Sequence, residues 1–291
     1  MKDTKPRFSI VIPCYNEARF IDRTLSSLAK QSYSGSYEII VVDNNCTDNT
    51  VDIAKTYGAR VVKEEQPGVC WARQAGTEAA KGEIVISTDA DTTQPINWLE
   101  TIDNTFKRYK KSVAVAGPCI YEDGPWWGKK YPKIMFGAVA ALYKFTGSPF
   151  YVTATNIAFK KSAWTGYNTS MTQGGDELAL LHDLRRKGKV VFNNSNPVYT
   201  SGRRLTRGLF YNIFVTFFTY YLLAYYINRL TGRTVIGMAP AYRTLKPTRN
   251  RLSLAYKIVV VVLIVAFIHL PGHDSLWNQA YETFKRVKQS F

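Results

Sequence analysis

The feature that most constrains the fold is a regular alternation of short apolar segments with helical patterns between residues 8 and 86. Four runs rich in Val and Ile, at residues 8–12, 37–42, 59–62 and 84–86, have the composition of buried β-strands. Amphipathic stretches of roughly a dozen residues separate them. Strands that alternate with helices form βαβ units, whose right-handed crossovers make the strands parallel. The sequence therefore predicts an α/β fold with a mostly parallel sheet flanked by helices.

Acidic and amide side chains follow three of these strands. Residues 13–17 (Pro-Cys-Tyr-Asn-Glu) follow the first strand, Asp43 ends the second, and Asp89 and Asp91 follow the fourth. Parallel strands bring their carboxyl ends to one edge of the sheet, where ligands bind in open α/β folds. Capped turns are the alternative, because Asp and Thr are common in them. Solvated turns do not need an acid at nearly every strand end, so we favour a functional edge.

Two acidic pairs stand out within this pattern. Asp89 and Asp91 are separated by one residue, so in an extended chain their side chains point the same way, and their charges repel unless a cation lies between them and a ligand. Asp176 and Glu177 follow two glycines and precede a helical pattern. They either cap that helix and interact with its dipole, or present a general base to a pocket at its N-terminus. Sequence spacing leaves both roles open.

The charge of the chain is concentrated at its C-terminal end. The formal net charge is +16, and the residues from Arg203 onward carry 13 Lys/Arg against 2 Asp/Glu. This part also contains two apolar stretches, at residues 209–227 and 252–270. Basic residues mixed with large apolar ones indicate an anionic membrane surface, and no nucleic-acid-binding module accompanies them. We expect at least one stretch to lie in the membrane interface, the alternative being two buried helices.

The four cysteines and the N-terminus indicate the compartment. The cysteines are scattered, without C-x-x-C or zinc-type spacing, which is typical of reduced thiols in the cytoplasm. The polar N-terminus lacks the apolar segment of a signal peptide. With the basic tail, these features predict a protein at the cytoplasmic face of the cell membrane.

Five short motifs together resemble the family 2 glycosyltransferases of the GT-A fold. They occur in the family's order and approximate spacing, at residues 10–17, 40–48, 68–76, 88–91 and 175–177. The resemblance implies a Rossmann-like GT-A domain over residues 1–202, followed by a basic, aromatic-rich, membrane-associating helical tail over residues 203–291. It also implies transfer of a sugar, with inversion, from a nucleoside-diphosphate sugar to a saccharide or lipid-linked hydroxyl, as in the synthesis of envelope polysaccharides or glycolipids.

The resemblance assigns the first strand ends to the nucleotide-sugar donor. Pro13, Tyr15 and Glu17 match the turn that binds the base and ribose. Asp43 matches the acid that contacts the nucleobase, and Arg73 matches a cationic position near the diphosphate.

The remaining acids are assigned to the ribose, the metal and the catalytic base. Asp89 matches a contact to ribose or metal, and Asp91 matches the ligand of Mg²⁺ or Mn²⁺ on the diphosphate. Asp176 or Glu177 matches the base. The family's usual order is Glu then Asp, so the reversed order here leaves the base open between the two.

The C-terminal part departs from the membrane polysaccharide synthases, because it lacks their Gln-x-x-Arg-Trp motif. Arg203 and Arg204 are candidates for the phosphate contacts in its place.

This chemistry is consistent with the residue types. A divalent ion held by carboxylates offsets the charge that develops on a diphosphate leaving group, and one carboxylate suffices as general base for a hydroxyl. Two other functions remain as alternatives. One is a nucleotidyltransferase acting on sugar phosphates, although the chain has no G-x-G loop after its first strand. The other is a non-catalytic basic protein that binds membranes.

Overall fold

The structure, a computed structural model, describes residues 5–169 and 176–223. These residues belong to one compact unit that extends from residue 1 to residue 240. Its first half consists of β1 Phe8–Cys14, α1 Ile21–Ala29, β2 Tyr37–Asp43, α2 Thr50–Thr56, β3 Arg60–Lys63, α3 Val69–Ala79, β4 Ile84–Ser87, β5 Thr92–Thr93 and α4 Trp98–Arg108. Its second half consists of β6 Ser112–Ala116, β7 Cys119–Tyr121, α5 Lys130–Thr146, β8 Ile157–Lys160, α6 Asp176–Lys187, β9 Lys189–Phe192 and β10 Val198–Thr200.

Within the described residues, seven strands form the central sheet in the order β3-β2-β1-β4-β8-β6-β9. β1 pairs in parallel with β2 and β4, β2 with β3, and β6 with β9, whereas β8 is antiparallel to both of its neighbours. The prediction of an α/β fold with a mostly parallel sheet is therefore confirmed. β1 to β4 place their carboxyl ends at one edge, which is called the carboxyl edge below.

β1 is longer than the sequence predicts, since it continues through Pro13 to Cys14. The carbonyl of Val11 accepts a hydrogen bond from Thr88 on the β4 side, and that of Cys14 accepts one from Asn44 on the β2 side. Because backbone groups alternate between neighbours along a strand, Pro13 faces the β4 side, beyond the last β4 pair. Its missing N–H therefore interrupts no ladder, as proline at the end of a strand allows.

α3 lies close against the sheet because Gly76 has no side chain. A methyl group at Gly76 would lie 2.4 Å from Cγ1 of Val11 on β1 and 2.8 Å from Cγ2 of Val42 on β2. The close approach fixes the position of Arg73, which lies one turn earlier on the same helix.

A second, three-stranded sheet covers the end of β4. β10 pairs antiparallel with β5 and parallel with β7. A 3₁₀ helix, Gly202–Arg207, follows β10 directly. The chain after the central sheet therefore returns to the loop that contains Asp91.

The predicted tail is described only in its first part. Tyr211–Leu223 forms a helix with π-type hydrogen bonding. Across residues 5–169 and 176–223, no helix has both the length and the apolar character needed to cross a membrane. The second apolar stretch, residues 252–270, lies outside the described residues, as do residues 224–227 of the first.

Candidate active site

Side-chain hydrogen bonds join the loops at the carboxyl edge. The amide of Glu17, after β1, donates to the hydroxyl of Thr50 at the start of α2 (2.8 Å). The hydroxyl of Thr24 on α1 donates to the carbonyl of Ala90, between the two aspartates that follow β4 (2.8 Å). The loops after β1, β2 and β4 are thereby held together as one surface.

Arg73 joins two of the predicted acidic groups through a single guanidinium. It is only 5% exposed. Its Nη2 donates to Oδ1 of Asp89 at 3.0 Å, and its Nη1 donates to Oδ2 of Asp176 at 2.5 Å. The end of β4 and the first turn of α6 are therefore held together by one buried cation.

Asp89 is held from the opposite side by Thr155, whose hydroxyl donates to Oδ2 at 2.7 Å. Partial burial acts to raise the pKa of Asp89, but the charge of Arg73 and the hydrogen bond from Thr155 hold it below its usual value. Asn156, the next residue, accepts a hydrogen bond from Nε1 of Trp98 at 3.0 Å. α4 thus fixes the backbone that presents Thr155.

A second arginine, Arg203, joins Glu17 to Asp91. Its Nη1 and Nη2 each donate to one carboxylate oxygen of Glu17 at 2.9 Å, which is a bidentate pair. Its Nη2 also lies 2.9 Å from Oδ2 of Asp91. The hydroxyl of Thr200, on β10, donates to Oδ1 of Asp91 at 3.3 Å. The short second sheet therefore brings a basic residue from the end of the domain to the metal-ligand candidate.

Asp91 is 9% exposed. Burial, together with the charges of Asp89 and Glu17, outweighs Arg203 and raises the pKa of Asp91 to about 6. A carboxylate in such a setting is stabilised by further positive charge.

The acids at this edge suit a cation that is shared with a ligand. Among residues 5–169 and 176–223, no group of three or more His, Cys, Asp or Glu side chains is arranged to hold a metal ion by itself. Mg²⁺ and Mn²⁺ at nucleotide sites use one or two carboxylates, with phosphate oxygens and water as the remaining ligands. Asp91, with Asp89 beside it, supplies that number of carboxylates.

Asp176 and Glu177 are both buried in the first turn of α6. Asp176 is paired with Arg73, as described above. Burial and the adjacent charge of Asp176 raise the pKa of Glu177 well above the usual value for a glutamate. Glu177 therefore keeps its proton to a higher pH than an exposed glutamate does.

The other predicted residues lie in the adjacent loops. Pro13 is half-buried in β1, and Tyr15 is exposed beyond it. Asp43 ends β2 and accepts a hydrogen bond from the amide of Cys46 at 2.8 Å. The predicted residues thus form two arginine-centred groups at one edge, with these three beside them.

Sequence reasoning did not find the partners that hold these groups in place. It named Arg203 only as a phosphate contact, and it assigned no role to Thr155, Thr200 or Asn156. The Glu17–Arg203 pair joins residues 186 positions apart, so no local pattern indicates it.

One family model matches a large part of the chain. The model described as Glycosyl transferase family 2 matches residues 9–167, more than half of the chain. These residues include β2 to β4, β8 and all of β1 except Phe8. Of the predicted site residues, only Asp176, Glu177, Arg203 and Arg204 lie outside the match.

Two curated relatives and one solved structure are similar to the chain. The chain is 36% identical over 107 residues to glycosyltransferase AglE of Haloferax volcanii. This alignment covers 34% of the chain and 35% of AglE. The chain is 25% identical over 195 residues to the glucosyl-dolichyl phosphate glucuronosyltransferase of the same organism, covering 61% of each protein. The chain therefore spans about a third of AglE and less than two thirds of the second relative.

The solved structure is residues 1–349 of S. aureus TarS in complex with UDP. It superimposes with a TM-score of 0.56 at 19% identity and covers 67% of this chain and 60% of that one. At this identity the likeness concerns the fold, which is α/β and GT-A-like.

Glu177→Gln is expected to change how stability depends on pH. Because the pKa of Glu177 is raised on folding, the folded chain binds more protons than the unfolded chain between the ordinary glutamate pKa of about 4.3 and the raised value. Native stability therefore falls as pH rises through that interval, whereas glutamine does not titrate. The Tm of the variant minus that of the native chain, from differential scanning fluorimetry, should increase between about pH 5 and pH 9.

Asp48→Asn serves as the control in the same experiment. Against the effect of its slight burial, hydrogen bonds from Thr50 and from the amide of Ala18 lower the pKa of Asp48. The stability that Asp48 contributes is then complete above its ordinary pKa of about 3.9 and is lost only as pH falls below it. The Tm difference for Asp48→Asn should stay constant over the interval, and an equally constant difference for Glu177→Gln would contradict the raised pKa.

Proposed function

Because the chain belongs to glycosyl transferase family 2, we propose that it transfers a sugar from a nucleoside-diphosphate sugar to a hydroxyl acceptor, with inversion at the anomeric carbon. One observation carries this proposal. Carboxylates from three separate parts of the chain, after β1, after β4 and at the start of α6, meet two arginines at the carboxyl edge. Packing alone gives no reason to bury so many charged groups at the end of a sheet where ligands bind.

We assign the nucleoside to the loops after β1 and β2. Pro13, Tyr15 and Glu17 would contact the base and ribose, and Asp43 would contact the base. UDP is the first nucleotide to test, since the TarS structure with a similar fold is a complex with UDP. Tyr15 is 51% exposed at this edge, and a tyrosine ring can stack on a base.

The diphosphate is assigned to the loop after β4. Asp91, with Asp89, would hold Mg²⁺ or Mn²⁺, which when bound offsets the negative charge that the leaving diphosphate gains. Arg203 lies beside Asp91 and would contact phosphate oxygens through the same guanidinium. Arg73 is enclosed by Asp89 and Asp176, so its role is to orient these carboxylates more than to bind phosphate.

Glu177 is the stronger candidate for the general base. Asp176 is held in an ion pair with Arg73 at 2.5 Å, so its carboxylate is already engaged. The raised pKa of Glu177 lies closer to neutral pH, where a general base is most effective. Glu177 would take the proton of the acceptor hydroxyl as the oxygen bonds to the anomeric carbon. The bond from that carbon to the diphosphate breaks on the opposite face, which inverts the configuration.

The acceptor and the location of the enzyme are proposed from the basic tail. We assign residues 1–202, together with Arg203, to catalysis. The rest of residues 203–291 is assigned to association with the cytoplasmic face of an anionic membrane, where a lipid-linked or saccharide acceptor is available. The excess of basic residues after Arg203, together with the two apolar stretches there, supports this assignment. One similar protein, the glucosyl-dolichyl phosphate glucuronosyltransferase, is named for such a lipid-linked substrate.

Asp91→Asn is expected to remove the metal dependence of nucleotide binding. Calorimetric titration of the native chain with UDP should show tighter binding in millimolar Mn²⁺ than in EDTA. With Asp91→Asn this difference should disappear, and affinity in Mn²⁺ should fall about 10- to 100-fold, equivalent to about 1.4–2.7 kcal/mol. Asp52→Asn, which removes an exposed carboxylate on α2, is the matched control and should bind as the native chain does.

The proposal is contradicted if the native chain binds neither UDP, GDP nor dTDP in Mn²⁺. The assignment of Asp91 alone is wrong if nucleotide binds and the asparagine variant keeps the full effect of Mn²⁺.

Glu177→Gln is expected to lower kcat by about 10²- to 10⁴-fold, because it removes general-base catalysis. The affinity for UDP in Mn²⁺ should be unchanged, since Glu177 lies outside the nucleotide contacts. Turnover is measured as UDP released from the donor that the native chain uses.

Asp176→Asn tests the other assignment. It leaves Arg73 without one of its two partners and should lower the free energy of unfolding, by up to about 3–5 kcal/mol for a broken buried ion pair. A folded Asp176→Asn chain without turnover, together with a Glu177→Gln chain at the native rate, would make Asp176 the base.

A further inference from the structure

α5 carries an exposed apolar stripe along most of its length. Ile134 is 74% exposed and Phe145 is 88% exposed, and Leu142 lies between them on the same side. Ala138 is also exposed, so residues at spacings of four, eight and eleven form one continuous face. Trp126, 81% exposed, lies just before the helix. Single exposed apolar residues are ordinary, but a continuous row of this length indicates an interaction surface.

The opposite side of α5 is anchored in the core, so the stripe cannot turn inward. Phe136 and Val139 are fully buried, and the ring of Phe136 stacks on that of Phe192 with centroids 6.2 Å apart. The exposed stripe is therefore the outward face of a helix whose orientation is fixed.

Lysines border the stripe along one edge. Lys130, Lys133 and Lys144 are exposed, and at 100° per residue they fall on the same side of it. Residues 124–150 contain four lysines and no acidic residue. The ammonium of Lys130 also lies 6.0 Å from the ring centroid of Trp126. This apolar row with its three lysines is called the α5 face.

The acidic residues that precede this segment in the sequence, Glu122 and Asp123, are engaged elsewhere. Glu122 pairs with Arg23 at 2.5 Å. Asp123 accepts hydrogen bonds from the hydroxyl of Ser201, at 3.2 Å, and from the amide of Gly202. The charge presented by the α5 face is therefore positive.

We propose that the α5 face lies on an anionic lipid bilayer, with its apolar side chains among the acyl chains and its lysines at the lipid phosphates. A helix with Ile, Leu and Phe on one face, lysines beside them and a Trp just before it has the composition of an interfacial membrane helix. Each lysine near an anionic bilayer strengthens binding by about 1 kcal/mol, or roughly fivefold.

Charge complementarity distinguishes lipid from the other occupants of this face. Residues 224–291 of the same chain carry ten Lys/Arg and two Asp/Glu, so docking them beside three lysines would bring like charges together. A second copy of the α5 face would meet the first with the same repulsion. An anionic bilayer is the partner whose charge matches.

The segment just before α5 contacts the segment that carries Arg203. Asp123, just before α5, is bonded to Ser201 and Gly202, and Gly202–Arg207 contains Arg203, the partner of Asp91. The membrane contact goes beyond the proposed function and does not depend on it, since vesicle binding is measured without donor or acceptor.

The test is a fluorescent label on the face, in the full chain. Cys14, Cys70 and Cys119 are buried and Cys46 is half-buried, so a thiol-reactive NBD label can be directed to Phe145→Cys. The control label is at Lys111→Cys, which is exposed before β6. Each labelled chain is mixed with phosphatidylcholine vesicles, either pure or containing phosphatidylglycerol, and flotation confirms which chains are bound.

The expected result is a blue shift and protection from iodide quenching at position 145, only with phosphatidylglycerol and without any change at position 111. Reversal of the three lysines, K130E/K133E/K144E, should abolish the shift at position 145. The matched reversal K81E/K110E/K111E changes three exposed lysines that precede β4 and β6 and should leave the shift intact.

Several outcomes would overturn the proposal. One is a chain that floats with the vesicles while position 145 stays quenchable. Another is protection of the label at position 145 from iodide in the absence of vesicles. If this protection is seen at all protein concentrations, the chain's own tail occupies the face. If it is seen only at high protein concentration, a second copy of the chain does. An equal shift with pure phosphatidylcholine would exclude the role of the lysines.

Discussion

The arrangement of the site depends on one buried guanidinium. Arg73 lies between Asp89 at the end of β4 and Asp176 at the start of α6, and nothing else described joins these two segments so directly. Burying a charged group costs free energy unless the group is paired and hydrogen-bonded. The guanidinium and the two carboxylates therefore each depend on the others to remain charged in this buried position. The close approach of α3 to the sheet at Gly76 is what brings Arg73 within reach. A packing constraint in the core thus determines where the acids of the site lie.

The distribution of charge around Arg73 gives neighbouring carboxyl groups different properties. Asp89 and Asp176 share its positive charge, and the pKa of Asp89 is lowered accordingly. At Glu177, burial and the adjacent carboxylate of Asp176 outweigh the charge of Arg73, so the pKa of Glu177 is raised. The pKa of Asp91 is raised to about 6, because the charge of Arg203 only partly offsets the effect of burial. A carboxyl group that titrates near neutral pH can act as a general base. A carboxylate whose negative charge is only partly neutralised can bind a divalent cation that also contacts phosphate. The proposed division of roles follows from these environments.

Local sequence patterns predicted the parallel strands and the position of the acidic residues. Alternating apolar and helical segments indicated the parallel strands, and the acids after β1, β2 and β4 then had to meet at one edge. Long-range pairings were not predictable in this way. The antiparallel strand β8 has only four residues, so its own sequence gives a weak strand pattern. Its place in the sheet is defined by its pairing with β4 and β6. The bidentate pair of Arg203 with Glu17 depends on the second sheet, whose strands have two or three residues each. The α5 face was invisible because an apolar helix pattern does not tell which side is buried.

The central claim is that the acids at the carboxyl edge form one site for a nucleotide sugar and a divalent ion. A crystal structure of the full chain with UDP and Mn²⁺, with anomalous data to locate the manganese, tests it most directly. The account predicts an anomalous peak between the carboxylate of Asp91 and the diphosphate. It also predicts that the nucleobase of UDP contacts the loops after β1 and β2. A nucleotide bound away from this edge, or manganese without contact to Asp91 or Asp89, would contradict it.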